Sequence, residues 1–146
     1  MNNPSSAGYA RYAREFMEAA LAADDKIGNK AGHEIIAPVS VMYMVGHSIE
    51  LILKAYLISK DIKENRLRNI GHDLEKCYKR AKELGLHHHI ELSDDDIEVL
   101  KVLNVLYKSK QLNYLVTGSK VFPMFGPLET LSNKLLNTIA PLVGYK

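Results

Sequence analysis

Three polar residues with chemically active side chains lie within an otherwise apolar stretch that runs from Val39 to Ser59. His47, Glu50 and Lys54 are separated by three and then four residues, so on an α-helix all three lie on one face. We predict that they form a ligand-binding face, on which Lys54 meets a phosphate and Glu50 a base or a sugar. The structural alternative is an ion pair between Glu50 and Lys54 that holds helices together.

A second set of candidate residues follows Gly71 at His72 and Asp73. Asp73 suits the N-terminal end of a helix, where it caps the helix or leaves amides free to bind an anion. We predict that both residues share the ligand site with the polar face. His47, Glu50 and His72 also permit a metal site of two histidines and one carboxylate. The preferred interpretation has no metal and no cofactor, because a histidine on an apolar helix is usually hydrogen-bonded in the core.

Apolar residues at helical spacing predict five helices and hardly any strand. We place these helices from about Ser6 to Gly28, from 34–38 to Lys60, from His72 or Asp73 to Gly85, from Ser93 onward, and from about Pro127 onward. The residues from Asp61 to Ile70 are predicted to be a charged connection, and 110–125 the longest irregular segment. The expected fold is all-α, a mainly antiparallel bundle of four to five helices forming one domain over residues 1–146.

The composition agrees with a single packed domain. The chain has 146 residues, of which 47% are hydrophobic and 25% charged, and its net charge of +2 is too small to indicate nucleic-acid binding by itself. The single Cys77 and the polar first residues predict a cytoplasmic protein. We expect no membrane span, since central Glu50 and Lys54 would each cost about 2.5–3.5 kcal/mol in a bilayer.

Two further segments have alternative interpretations. The run His87-His88-His89 is predicted to be a solvated loop, with adventitious metal binding as the lesser option. Near residue 110, basic and aromatic residues alternate, a composition that can hold single-stranded nucleic acid or can simply pack a loop onto the core. These residues are Tyr107, Lys108, Lys110, Tyr114, Lys120 and Phe122.

Two motifs resemble those of HEPN-domain proteins. They are the run from Ser48 to Leu57, with sequence SIELILKAYL, and the run from Gly71 to Lys76, with sequence GHDLEK. The segments LNVLY at 103–107 and LNY at 112–114, followed by Pro123, are similar to the closing part of some bacterial members. The likeness covers most of the chain from about Glu34.

The resemblance to HEPN domains implies a helical bundle, often a homodimer, that binds a nucleotide, a nucleic acid or a partner protein in toxin–antitoxin or defence contexts. It also implies a nucleotidyltransferase as a partner. The family's ribonuclease motif is an arginine followed four to six residues later by a histidine in the last helices, but here no His follows His89 and no Arg follows Arg80. We therefore expect a non-catalytic module. The alternative is a metal-independent ribonuclease that uses His72 as general base and Arg66 or Arg68 to hold phosphate.

Overall fold

The computed structural model describes residues 5–33, 36–113 and 120–145. Within these ranges the chain is helical and contains no β-strand, which confirms the predicted all-α bundle. The helices are α1 (Ser6–Ile27), α2 (Val39–Ser59), α3 (Glu64–Ile70), α4 (Leu74–Glu83), α5 (Asp94–Lys108) and α6 (Phe125–Leu142), with a short 3₁₀ helix at Leu86–His88.

Helix α2 occupies the centre of the bundle, where it packs against α1, α4, α5 and α6. Among the described helices it has the length and composition needed to cross a bilayer, yet 72% of its most apolar window is buried inside the protein. An apolar surface on most sides is what a helix surrounded by other helices requires. The bundle thus accounts for the hydrophobicity of α2.

The predicted N-terminal caps of α1, α4 and α5 are confirmed. The hydroxyl of Ser5 accepts a hydrogen bond from the amide of Gly8, and the Asp73 carboxylate accepts one from the amide of Lys76. Ser93 and Asp96 form a reciprocal capping box at the start of α5. Each cap satisfies amides that have no partner within the helix, so these boundaries follow from local sequence.

One predicted connection was wrong, and two predicted helix starts differ from the structure by one or two residues. The segment predicted as a charged connection contains helix α3, whose one buried residue, Leu67, gives too weak a periodicity to recognise in seven residues. Helix α2 begins only at Val39, because Pro38 disfavours a helical conformation for the residue before it. Helix α6 begins at Phe125, since Pro127 is tolerated in a first turn that needs no amide partner there. Only part of the predicted irregular segment at 110–125 lies within the described residues, and Tyr114 lies outside them.

Candidate functional site

The Glu50 carboxylate lies at the centre of a buried polar network. Its Oε2 accepts a hydrogen bond from Lys54 Nζ at 2.7 Å, and its Oε1 accepts bonds from the Tyr107 hydroxyl at 2.7 Å and His72 Nδ1 at 2.9 Å. Glu50 is 3% exposed and Lys54 8% exposed. The network therefore joins α2, the connection before α4 and the C-terminal part of α5 through one negative charge.

His47 reaches Glu50 through Tyr107. The Nδ1 atom of His47 lies 3.0 Å from the Tyr107 hydroxyl, whose proton is already committed to Glu50. An ionised carboxylate only accepts hydrogen bonds, so Tyr107 must donate to Glu50 and accept from His47. The same reasoning places a proton on Nδ1 of His72. Phe16 packs edge-on against the His47 ring, with the ring centroids 4.5 Å apart.

Gly46 leaves room for the Tyr107 ring because it has no side chain. A Cβ atom at this residue would lie 2.6 Å from Cδ1 of the Tyr107 ring. Gly46 precedes Glu50 by one helical turn on α2. The Tyr107 ring therefore packs against the backbone of Gly46, and its hydroxyl reaches the Glu50 carboxylate. The close approach explains a glycine inside an otherwise strongly helix-forming segment, where glycine has a conformational cost.

Asp73 acts as a helix cap, not as an open anion site. Its Oδ1 accepts hydrogen bonds from the Lys76 amide at 3.1 Å and from Asn104 Nδ2 at 2.9 Å. The Asn104 side chain is fully buried, and its Oδ1 accepts from the Leu74 amide at 2.8 Å. The amides of Leu74 and Lys76 are thus both occupied, which leaves little of the positive helix end for a ligand.

The electrostatics of the network favour an ionised Glu50 carboxylate paired with the Lys54 cation. Burial raises the pKa of Glu50, but the hydrogen bond and charge of Lys54, together with the bonds from His72 and Tyr107, outweigh it and hold the pKa below its ordinary value. Burial, followed by the charge of Glu50, raises the pKa of Tyr107. Burial lowers the pKa of His47, against the opposing effect of Glu50. His47 is therefore neutral near pH 7 and Tyr107 keeps its proton.

Among the members of this network, His72 presents the most accessible side chain to solvent. It is 57% exposed, whereas the carboxylate of Glu50 that orients it is buried. With Nδ1 donating to Glu50, Nε2 is the imidazole nitrogen left to exchange a proton or contact a ligand. A carboxylate-oriented imidazole can act in general acid–base chemistry, so His72 is the residue through which the network could reach a substrate.

A basic groove lies between α3 and α4, and no member of this network lines it. It has a volume of about 590 Å³ and is lined by five cations and two acids together with Ile62, Asn69 and Ile70. Its charged residues are Asp61, Lys63, Arg66, Lys76, Lys79, Arg80 and Glu83. Arg66 therefore lies in the groove, while Arg68 and His72 are not among its lining residues.

The structure brings together some of the predicted site residues and separates others. His47, Glu50, Lys54 and His72 belong to one network, but Lys54 and Glu50 are paired with each other as the structural alternative proposes. His47 bonds to Tyr107, and among the described residues no group of three His, Cys, Asp or Glu is arranged to hold a metal ion.

The structure also describes the other residues singled out in the sequence. His87, His88 and His89 are exposed. Cys77 is buried, and burial raises the pKa of its thiol to about 12. The aromatic and basic segment near residue 110 does not present Tyr107 to a ligand, because that side chain is 4% exposed and bonded to Glu50.

Sequence reasoning overlooked Asn104, the role of Tyr107 in the network, and one surface. Tyr107 and Asn104 lie three residues apart on the buried face of α5, and a buried asparagine among leucines was the available signal. The basic face of α4 was also overlooked, although Lys76, Lys79 and Arg80 recur at helical spacing opposite the apolar stripe.

Comparison of the chain with protein-family models, with curated proteins and with solved structures gave no match. The geometry of the site and the resemblance of the two motifs to HEPN domains are accordingly the basis on which a function is proposed.

Proposed function

We propose that this protein is a HEPN-like, non-catalytic binding module for RNA, which it holds by its phosphates in the groove between α3 and α4. One observation carries the proposal: the groove has an excess of three positive charges, whereas the whole chain has a net charge of only +2. The rest of the protein is nearly neutral, so the field that attracts a polyanion is concentrated on this surface.

The arrangement of the cations supports a phosphate ligand. Lys76, Lys79 and Arg80 project from one face of α4, and Arg66 approaches from α3 on the other side. Arg80 is partly neutralised by Glu83, whose Oε2 accepts its hydrogen bond at 3.1 Å. A side-by-side row of flexible cations suits a repeating phosphate chain better than a single fixed anion.

We expect the groove cations to set the salt dependence of RNA binding. The double variant Lys76→Gln/Lys79→Gln removes two phosphate contacts, so affinity for a mixed-sequence single-stranded RNA falls and the slope of log K against log salt decreases by about 1.4. The matched control is Lys26→Gln/Lys101→Gln, which removes the same net charge from exposed positions outside the groove. Fluorescence anisotropy over a range of salt concentrations measures both.

Equal loss in the two double variants would contradict the proposal, as would a wild-type protein that does not bind RNA at low salt. Competition by a mononucleotide at concentrations that match the RNA phosphates would instead identify a nucleotide-binding protein.

The homodimer and the nucleotidyltransferase partner implied by the HEPN resemblance belong to this proposal, and so does a cytoplasmic location. Light scattering of the purified protein distinguishes a dimer from a monomer.

A second candidate function is metal-independent RNA cleavage, favoured by the hydrogen bond from His72 Nδ1 to the buried Glu50. In such a reaction His72 Nε2 takes the proton of a ribose 2′-hydroxyl, which attacks the adjacent phosphorus. The bond to the 5′-oxygen breaks, and that oxygen receives a proton from water. The binding proposal is preferred because His72 does not line the groove that contains Arg66.

We expect no cleavage of labelled RNA by the purified protein in the presence of a chelator. The His72→Ala variant and the control His88→Ala, which alters an exposed histidine of the 3₁₀ helix, should then behave like the wild type. Cleavage that disappears in His72→Ala and persists in His88→Ala would replace the binding proposal with the ribonuclease. Cleavage that survives both substitutions would indicate a nuclease site elsewhere.

A further inference from the structure

A half-exposed tyrosine on α1 has no role in the bundle core. Tyr12 is 51% exposed, while its neighbour Ala13 is fully buried. The guanidinium of Arg11 lies over the Tyr12 ring, 5.4 Å from its centroid. A cation over one face of an aromatic ring leaves the other face for a second planar group. Tyr12 therefore combines an accessible ring with an adjacent positive charge.

Tyr12 borders a shallow, mainly apolar depression between α1 and α2. The depression has a volume of about 430 Å³ and is also lined by Tyr9 and Leu51. Tyr9 is partly buried against the core, so its ring is held in place by packing. Aromatic rings beside an arginine form the kind of surface on which unpaired bases stack.

A smaller depression borders both this one and the basic groove. The intermediate depression, of about 170 Å³, shares Tyr9 with the tyrosine depression. It shares Asp61, Ile62 and Lys63 with the basic groove. Neighbouring depressions that share lining residues thus form a path from aromatic rings on α1 to cations on α4, and its middle part also carries the carboxylates of Asp61 and Glu64.

From this juxtaposition we infer that the path binds single-stranded RNA, with a base stacked on Tyr12 and the following phosphates in the basic groove. The inference rests on the proposed function and adds the strandedness of the ligand and a residue that distinguishes it. A duplex keeps its bases stacked on each other, so only the unpaired strand presents a free base to Tyr12. The basic groove, in contrast, attracts the phosphates of single-stranded RNA and of a duplex alike.

The test compares Tyr12→Ala with Tyr12→Phe, using a single-stranded RNA and a duplex of the same sequence. We expect Tyr12→Ala to weaken single-strand binding about tenfold with an unchanged salt slope, as loss of one stacked base does. Tyr12→Phe keeps the ring and should bind like the wild type. Duplex affinity should be the same for all three proteins. Because Tyr12 is half-exposed, both variants are expected to fold, and circular dichroism checks this.

The outcomes separate this inference from the proposed function. If Lys76→Gln/Lys79→Gln weakens RNA binding but Tyr12→Ala binds single strands like the wild type, the inference is overturned and the binding module stands. Equal losses for single strands and duplex in Tyr12→Ala would also overturn it. If the wild-type protein binds no RNA, both fail together.

Discussion

The Glu50→Gln variant should lose about 3–5 kcal/mol of the free energy of unfolding. The substitution keeps the shape of the side chain but removes the negative charge that three donors share. Lys54, which is 8% exposed, is left as a buried cation without a counter-ion. The glutamine carbonyl oxygen can still accept hydrogen bonds, but its NH2 group has to face a donor at the other position. Urea denaturation followed by circular dichroism measures the loss.

Two further variants identify the cause. Glu83→Gln removes a carboxylate from an exposed ion pair with Arg80, and we expect a change of no more than about 0.5 kcal/mol. Combining Glu50→Gln with Lys54→Met removes the unpaired cation, so the double variant should be more stable than Glu50→Gln alone. Similar stabilities of Glu50→Gln and Glu83→Gln would show that the network contributes little.

We expect the stability that this network contributes to depend on pH. Because the pKa of Glu50 is lowered in the folded state, its stabilising contribution is present above the unfolded value of 4.5 and is lost as the pH falls through the folded value. Asp73 and Asp96 also have lowered pKa values, so they make the wild type and Glu50→Gln alike sensitive to acid. The stability difference between the two proteins should therefore shrink on acidification.

Gly46→Ala should destabilise the protein by about 1–3 kcal/mol, although alanine is the better helix former. The added Cβ would lie 2.6 Å from the Tyr107 ring. That ring is 4% exposed, and its hydroxyl is hydrogen-bonded to both Glu50 and His47, so it cannot move without breaking the network. The cost of the overlap therefore exceeds the helix-propensity gain of roughly 1 kcal/mol.

Gly126→Ala is the matched control for this substitution. Gly126 lies in the first turn of α6, and apart from its chain neighbours a Cβ there would meet nothing within 4 Å. Stability should change by less than about 1 kcal/mol, because the gain in helix propensity opposes the cost of a Cβ before Pro127. A change at Gly46 as small as that at Gly126 would mean that the Tyr107 ring has room to shift, and would argue against a rigid network.

Much of the fold could be predicted from local sequence. The caps at Ser5, Asp73 and Ser93 act within four residues of their partners, so their chemistry is visible in the chain itself. The apolar surface of α2 likewise indicated a central helix. Helix α3 was missed because seven residues with a single buried side chain, Leu67, carry almost no periodic signal.

The sequence alone therefore established the helical class, the helix caps and the polar face of α2 on which Glu50 and Lys54 pair. Tertiary structure decided what that face contacts, because Tyr107 is 57 residues from Glu50 and His72 is 22 residues from it. Partners so far apart meet only through the packing of α2 against α5 and the chain before α4. The same packing completed the charged groove, since only the approach of α3 to α4 adds Lys63 and Arg66 to the basic face of α4.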